Sequence, residues 1–311
     1  MILVVNLNAS LDKCYEMGTL EKGTVMRARS VKNTPGGKGI HVANVLTILG
    51  EDCLVTGMLG GKTGEYIENG LAAYHIKSDF SKIAGETRSC LAMITEDGMQ
   101  TEILEPGPEV SEKEQTDFLE KYAALLDKAS LVVCSGSIPR KVSKDFYRVL
   151  IEMAREKQKD VFLDTSGELL AHGIAANPFF IKPNQEEIAA LRQIEISSKE
   201  DLLQEVRNFL ADGIALVAIS LGAKGSIVGY RGAIYEVAVP KITAVNPVGS
   251  GDAFVAGMAF SIARGYAIED AIRMAAACGT ANALEKESGF VTKSVVEELV
   301  KKISVEKIAS I

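Results

Sequence analysis

Asn246-Pro247-Val248-Gly249-Ser250-Gly251-Asp252-Ala253-Phe254 leads from small, flexible residues straight into an apolar helical run, Phe254-Val255-Ala256-Gly257-Met258-Ala259-Phe260. The pattern places bare backbone N–H groups at the start of a helix. Those donors have no partner inside the helix, and the aligned peptide dipoles put roughly half a positive charge there, so the terminus attracts an anion such as phosphate. Asp252 falls among them. A carboxylate in that place is either a helix cap or a proton acceptor beside a phosphate, and the chemistry of the chain turns on which.

Working outward, short β-rich runs alternate with amphipathic helical runs. Strands are expected at Ile2–Leu7, Cys53–Met58, Leu131–Cys134, Val161–Leu163, Phe179–Ile181 and Leu216–Ile219. Helices are expected at Gly39–Leu49, Ser111–Leu126, Ser143–Glu156 and Lys199–Ala211. This alternation predicts an α/β fold, with a largely parallel sheet covered by helices on both faces. Tyr15–Val31 and Thr87–Leu104 break the pattern with strand-like segments that lack intervening helices. Asp97-Gly98 in the second is a good hairpin turn. These pieces are expected to form a small sheet projecting from the body; plain surface hairpins are the alternative. The Ala-rich stretch Asp252–Leu284, interrupted at Gly265, reads as two closely packed helices. The whole chain, 1–311, reads as a single domain with an inserted β element.

Composition sets the outer bounds. A chain of 311 residues with 47% hydrophobic and 24% charged content supports a large core. The net charge of −7 argues against nucleic acid as a partner. No apolar run approaches the ~18–20 residues that span a bilayer. Met1–Leu7 lacks the cationic leader of a signal peptide, so no membrane partner and a cytoplasmic location are expected. Cys14, Cys53, Cys90, Cys134 and Cys278 are scattered without a C-x-x-C pair, as reduced thiols would be. His41, His75 and His172 have no ligand-pair spacing, so no structural metal is expected.

Several motifs compete for a role. Gly60-Gly61-Lys62-Thr63-Gly64 tempts a phosphate-loop assignment, but Thr56 stands where that pattern needs glycine, and a tight turn is expected. The first strand runs into Asn8-Ala9-Ser10-Leu11-Asp12 without a glycine, which disfavours a dinucleotide fold. Pro35-Gly36-Gly37-Lys38-Gly39 lets backbone approach a ligand closely and adds a cation, or is a turn with a solvated lysine. Asp12 follows the first strand, on the rim where open parallel sheets bind ligands; hydrogen bonds to sugar hydroxyls and an ordinary turn aspartate are both open. Asn44 either reaches the same hydroxyls or faces solvent. Asn184 and Glu187, after Lys182-Pro183, fit a capping box or a set of waters around magnesium near ATP. Ser220-Leu221-Gly222-Ala223-Lys224-Gly225 fits a hairpin turn or a nucleotide pocket.

Taken in order, Asp12, Gly36-Gly37-Lys38-Gly39, Asn184–Glu187 and Gly249-Ser250-Gly251-Asp252 resemble the ribokinase-like (PfkB-type) sugar kinases over nearly the whole chain. The resemblance implies a three-layer α/β/α fold with a mostly parallel central sheet and a small β-sheet lid, here from about 12–32 and 87–105. It implies transfer of the γ-phosphoryl group of ATP, with Mg2+, to a sugar hydroxyl. Asp252 then corresponds to the catalytic base and Gly249, Ser250 and Gly251 to the anion hole. Asp12, Gly37, Gly39 and Asn44 correspond to sugar contacts. Lys182, Asn184, Ser220, Gly222, Gly225 and Asn282 correspond to the nucleotide side, with Glu187 reaching the metal through water.

Arg27, Lys38 and Arg88, with Ser137, are implied to hold a phosphate already on the sugar, because the guanidinium fork matches phosphate. Arg88-Ser89-Cys90 and Thr101–Pro108 look closest to the tagatose-6-phosphate kinases within this family. The implied reaction is tagatose 6-phosphate to tagatose 1,6-bisphosphate, with fructose 1-phosphate as the alternative acceptor and a non-catalytic sugar- or nucleotide-binding regulator as the alternative class. Ala9 replaces a frequent proline, Ile138-Pro139-Arg140-Lys141 replaces a Pro-Gly ending, and His41 stands where asparagine is frequent. Relatives often dimerise through their lids, so a homodimer is expected.

Overall fold

A computed structural model describes residues 1–310. The chain begins with β1 (Ile2–Asn6), β2 (Ser10–Glu16) and β3 (Ser30–Gly36), then enters α1 (Lys38–Leu49). β4 (Cys53–Gly60), α2 (Gly61–Ala73), β5 (Lys77–Ser78), β6 (Ser81–Ile83), β7 (Ser89–Ile94) and β8 (Gln100–Leu104) follow. The middle is α3 (Glu112–Leu126), β9 (Leu131–Ser135), α4 (Phe146–Glu156), β10 (Asp160–Asp164), α5 (Gly167–Ile174), β11 (Phe180–Ile181), α6 (Gln185–Arg192) and α7 (Lys199–Ala211). β12 (Leu216–Ser220), β13 (Ser226–Tyr230), β14 (Ala233–Ala238), α8 (Ser250–Ala263), α9 (Ile268–Ala283), α10 (Lys293–Val300) and β15 (Ser304–Ser310) complete it.

The main sheet runs β15-β14-β13-β12-β11-β10-β9-β1-β4-β5, with β6 also paired to β4. From β12 through β5 its pairings are parallel; β13, β14 and β15 add an antiparallel edge. β1 shows why the sheet is covered on both faces. Its five residues are all buried, and they alternate between two cores. Ile2 and Val4 pack into the core formed with α1, α8 and α9. Leu3 and Val5 pack into the core formed with α3, α4 and α7. Period-two alternation on a strand thus produces the three layers. Near α8, Cys278 of α9 is fully enclosed, and burial pushes its thiol up to about 12.

A separate four-stranded sheet, β3-β2-β7-β8, forms the lid. Its order joins an antiparallel hairpin, β2–β3, to a second, β7–β8, through the parallel β2–β7 pair. Residues 17–29 form the connection between β2 and β3 rather than strand.

Local chemistry explains several boundaries. Ser111 and Ser198 cap α3 and α7 with capping boxes to Glu114 and Asp201. The expected helix start at Ser143 moves to Phe146, because Ser143–Asp145 form a turn before it. The expected turn at Gly60–Gly64 is instead the first turn of α2. Its free N–H groups at Lys62 and Thr63 donate to the Glu86 carboxylate at 3.2 and 2.6 Å. A carboxylate therefore fills the place a phosphate would take in a phosphate loop. No helix among the described residues is long and apolar enough to cross a membrane.

Candidate active site

Asn6, Ser135, Asp164 and Ser220 end β1, β9, β10 and β12, and Lys182 follows β11. All five lie on the carboxyl rim of the parallel strands, where open α/β sheets gather ligands. The start of α8 comes to the same rim. Gly249 is its N-cap, at φ 85°. A Cβ there would be strained in that conformation and would lie 2.5 Å from the Gly289 nitrogen. Glycine lets the chain turn into α8 here; the Ser250 N–H donates back to the Pro247 carbonyl at 3.2 Å, and the N–H groups of Gly251 and Asp252 follow without a backbone partner.

Asp252 sits in the first turn of α8, 6% exposed. Its Oδ2 lies 2.8 Å from Nδ1 of His41. The Nε2 of His41 lies 3.8 Å from Oδ2 of Asp12. The two candidate sugar-side carboxylates thus flank one imidazole. Asp12 also accepts from the Ser10 hydroxyl at 2.6 Å. Burial pushes its carboxyl above the ordinary value, against the pull of His41, Ser10 and Arg88. Gly36 makes room for it, since a Cβ at that position would meet the Asp12 carboxyl group at 2.0 Å.

Two lysines converge on a second carboxylate. Asp164 is 3% exposed, with Lys38 Nζ 3.5 Å from its Oδ2 and Lys182 Nζ 3.6 Å from its Oδ1. Burial alone would raise the Asp164 carboxyl; the two ammonium groups outweigh it and hold it below the usual carboxylate range. Asp164 in turn holds Lys38 well above the usual lysine range, with Asp252 and Glu187 adding to it. The Lys182 ammonium also lies against Gly251: a Cβ on that glycine would be 3.0 Å from it. Lys38 therefore belongs with Lys182 at the start of α8. The sugar-phosphate reading expected it with Arg88 and Ser137; its Cβ also lies 3.7 Å from where a Cβ on Gly136, the neighbour of Ser137, would stand.

Arg88 and Ser137 meet elsewhere, at Asn8. Arg88 Nε donates to the Asn8 carbonyl at 3.1 Å and its Nη1 to the Glu105 carbonyl at 2.9 Å. Asn8 Nδ2 donates to the Ser137 hydroxyl at 3.0 Å, which leaves the serine O–H free to donate. A cavity of about 520 Å³ adjoins this corner, lined among others by Arg88, Glu105, Gly107 and Arg140. Arg27 is not brought here; it is exposed on the 17–29 connection.

Two of the expected ligand contacts, Gly39 and Asn282, have polar groups spent on the protein itself, and two more, Gly37 and Asn44, touch it in part. The Gly39 N–H is spent on Asn6 Oδ1 at 2.7 Å, and Gly37 packs against the same asparagine. Asn44 Nδ2 donates to the Gly289 carbonyl at 2.8 Å, and its Oδ1, on a half-buried side chain, is left to accept. Asn282 is fully buried. Its Nδ2 donates to the Val248 carbonyl at 2.8 Å, and its Oδ1 accepts from Gly289 N at 2.8 Å. Both ends of that amide brace the loops around Gly249, so it does not present itself to a purine.

On the nucleotide side, Asn184 and Glu187 form a complete capping box at α6, with contacts of 2.8 and 2.9 Å. Ser220, Gly222 and Gly225 belong to the hairpin joining β12 to β13, where Leu221 N donates to the Gly225 carbonyl at 2.9 Å. Gly225 is pressed against β14, 1.9 Å from the Val237 carbonyl were a Cβ present. Across the cleft, Lys32 of β3 pairs with Glu287, in the segment that carries Gly289.

His41, Asp164, Asn6 and Asn8 carry parts of this geometry that the sequence reading did not assign. Asn6, Asn8 and Asp164 shared one available signal: each is a polar residue at or just beyond the carboxyl end of an expected strand, on the ligand rim. Asn6 Nδ2, Asn8 Oδ1 and Ser135 Oγ are buried there without a protein partner.

A helix start that collects anions, with a carboxylate in its first turn and cations beside it, is the equipment of a phosphotransferase. Comparison with known proteins narrows that class. Residues 5–294 match the pfkB family carbohydrate kinases, and the chain belongs to that family. It is similar over its whole length to a Staphylococcus aureus protein provisionally assigned as a phosphofructokinase, with TM-score 0.87, 29% identity and 100% of both chains covered. It is similar to Escherichia coli phosphofructokinase-2 in complex with fructose-6-phosphate, with TM-score 0.90, 25% identity, 97% of this chain and 98% of that one. A Thermotoga maritima protein described as a possible 1-phosphofructokinase matches with TM-score 0.87, 26% identity and 99% of both chains.

Proposed function

We propose that this sugar kinase phosphorylates a ketohexose phosphate with ATP, and that tagatose 6-phosphate, converted to tagatose 1,6-bisphosphate, is the preferred acceptor. The observation that carries the reading is the placement of Asp252 in the first turn of α8, joined through His41 to Asp12. Asp12 binds the sugar hydroxyls and Asp252 takes the proton of the attacking one. The N–H groups of Gly249 and Gly251 receive the equatorial oxygens of the transferring group, that of Ser250 joining them by leaving the Pro247 carbonyl it now meets at 3.2 Å, with Lys38 and Lys182 neutralising the charge. Arg88 and Ser137 hold the phosphate at the far end of the sugar.

ATP lies along Lys182, Asn184, Ser220, Gly222 and Gly225. Among the described residues no group of three or more His, Cys, Asp and Glu is placed to hold a metal by itself. Mg2+ asks for less than such a group, since it keeps several waters and binds through one or two carboxylates plus substrate phosphates. Glu187, with one oxygen spent on the cap, is the carboxylate proposed for it. When bound, the ion supplies charge neutralisation between the β- and γ-phosphates. The exposed apolar side chains Val31, Ile103 and Leu104 of the lid support pairing of two lids in a homodimer, which analytical ultracentrifugation reads.

ADP release measured with tagatose 6-phosphate, fructose 1-phosphate and fructose 6-phosphate tests the reading. The highest kcat/KM is expected for tagatose 6-phosphate. A preference for fructose 1-phosphate transfers the assignment to that acceptor. No ADP release with any of them favours a binding protein on the same fold.

A further inference from the structure

His41 stands at the start of α1, partly buried between two carboxylates from different parts of the cleft. The reading above uses its ring only as the link between them, without a role in the reaction. Its Nδ1 is 2.8 Å from Oδ2 of Asp252. A carboxylate oxygen only accepts, so Nδ1 carries the hydrogen. At the other edge Nε2 is 3.8 Å from Oδ2 of Asp12. A bare lone pair there would face an anion, whereas an N–H meets it favourably. The ring is therefore best placed as a cation between two anions.

The remaining surroundings act in known directions. Burial pushes the imidazole down, but Asp252 of α8 and Asp12 of β2 together hold it above its ordinary value, against Lys38 of α1. Arg88 and Glu102 reach the ring only through Asp12, with opposite signs. The backbone of Gly289 closes the last side, so tightly that a Cβ on it would lie 2.4 Å from the His41 Cβ.

We propose that His41 is a positioning residue for phosphoryl transfer: its Nδ1–H holds Oδ2 of Asp252 so that Oδ1 faces the acceptor hydroxyl, while its Nε2 edge keeps Asp12 in register. The inference rests on the kinase reading above. In the step, the acceptor O–H bond breaks and its proton passes to Oδ1 of Asp252. The acceptor oxygen bonds to the γ-phosphorus, and the bond from that phosphorus to the bridging oxygen breaks, its electron pair leaving with ADP. His41 keeps its own proton throughout. A loose phosphoryl-transfer transition state asks little of base strength. A misplacement of about 1 Å costs on the order of 10²-fold in rate. Orientation outweighs basicity here.

The test compares wild type, His41→Asn and His41→Ala for ADP release from the phosphosugar the wild type prefers, between about pH 6 and 9. His41→Ala is expected to lower kcat about 10²-fold, with the KM for ATP little changed. His41→Asn, whose amide can stand near Nδ1, recovers part of that loss. The decline of wild-type kcat at high pH, as the ring loses its charge, is absent from both variants. Wild-type kcat with an unchanged pH profile in His41→Ala overturns the proposal. Where His41→Ala does not fold, His41→Asn carries the same comparison. Proton NMR titration of the His41 ring in wild type and Asp252→Asn reads the contact without turnover. The titration moves to lower pH in the variant, and an unmoved titration overturns the proposal. Absence of ADP release by wild type sinks the kinase reading instead, and the NMR comparison then decides the contact alone.

Discussion

Asp164 lies beneath Lys182, its Oδ1 3.6 Å from the ammonium nitrogen, and the two are among the few charged side chains enclosed in the molecule. Lys38 reaches the other oxygen from a more exposed position. Removing the shared anion strands a buried cation. Asp164→Ala is therefore expected to lower unfolding free energy by about 3–5 kcal/mol, mainly through Lys182, because water screens Lys38. Urea denaturation measures this; a loss below about 1 kcal/mol would mean the pair contributes as a surface one does.

Asp252→Asn keeps the shape of the side chain and removes its capacity to accept a proton. The expected result is a fall in kcat of roughly 10²–10⁴-fold, with ATP affinity nearly unchanged by calorimetry. Unaltered turnover would reduce Asp252 to a first-turn charge on α8.

Arg88→Ala removes the guanidinium held over Asn8. A charged hydrogen bond contributes about 1.5–3 kcal/mol, which corresponds to a rise of about 10–150-fold in the KM for the phosphosugar. The KM for ATP should stay near its wild-type value. A small effect on both constants would point to an unphosphorylated acceptor.

The raised value of His41 has a sign that stability measurements can read. Below the ordinary histidine value, 6.5, the ring is charged in both folded and unfolded chains, and its contribution to stability is fully present. As pH rises past that value the unfolded chain releases its proton first, and the contribution is lost until the pH exceeds the folded value. The stability advantage of wild type over His41→Asn should therefore shrink between about pH 6 and 9, measured by denaturant titration at each pH. An advantage that grows with pH contradicts the arrangement.

Much of this architecture was legible locally. Gly249-Ser250-Gly251 before an apolar run encodes a helix start, and the β-branched runs of β1 and β9 encode buried strands. α2 was not legible, because Gly61, Gly64 and Gly70 lower its intrinsic helix propensity. Tertiary contact decides it, with Gly70 fitted against Pro35 and Glu86 supplying the cap. Asn184 and Glu187 lie three residues apart, so their capping box was visible as one of two readings. The contacts of the cleft were hidden by distance along the chain: His41 and Asp252 are 211 residues apart, and Lys38 and Asp164 126. Asn44 and Asn282 fitted expected ligand contacts in kind, and only packing reveals that their amides serve the backbone of Gly289.

That convergence on Gly289 has a mechanical outcome. Asn44, on α1, grips its carbonyl, and Asn282, on α9, grips its nitrogen. Both hydrogen bonds end on one residue, so α1 and α9 are registered against a common anchor rather than across two long, independently fluctuating spans of chain. The separation of the two helices is thereby set at a single point.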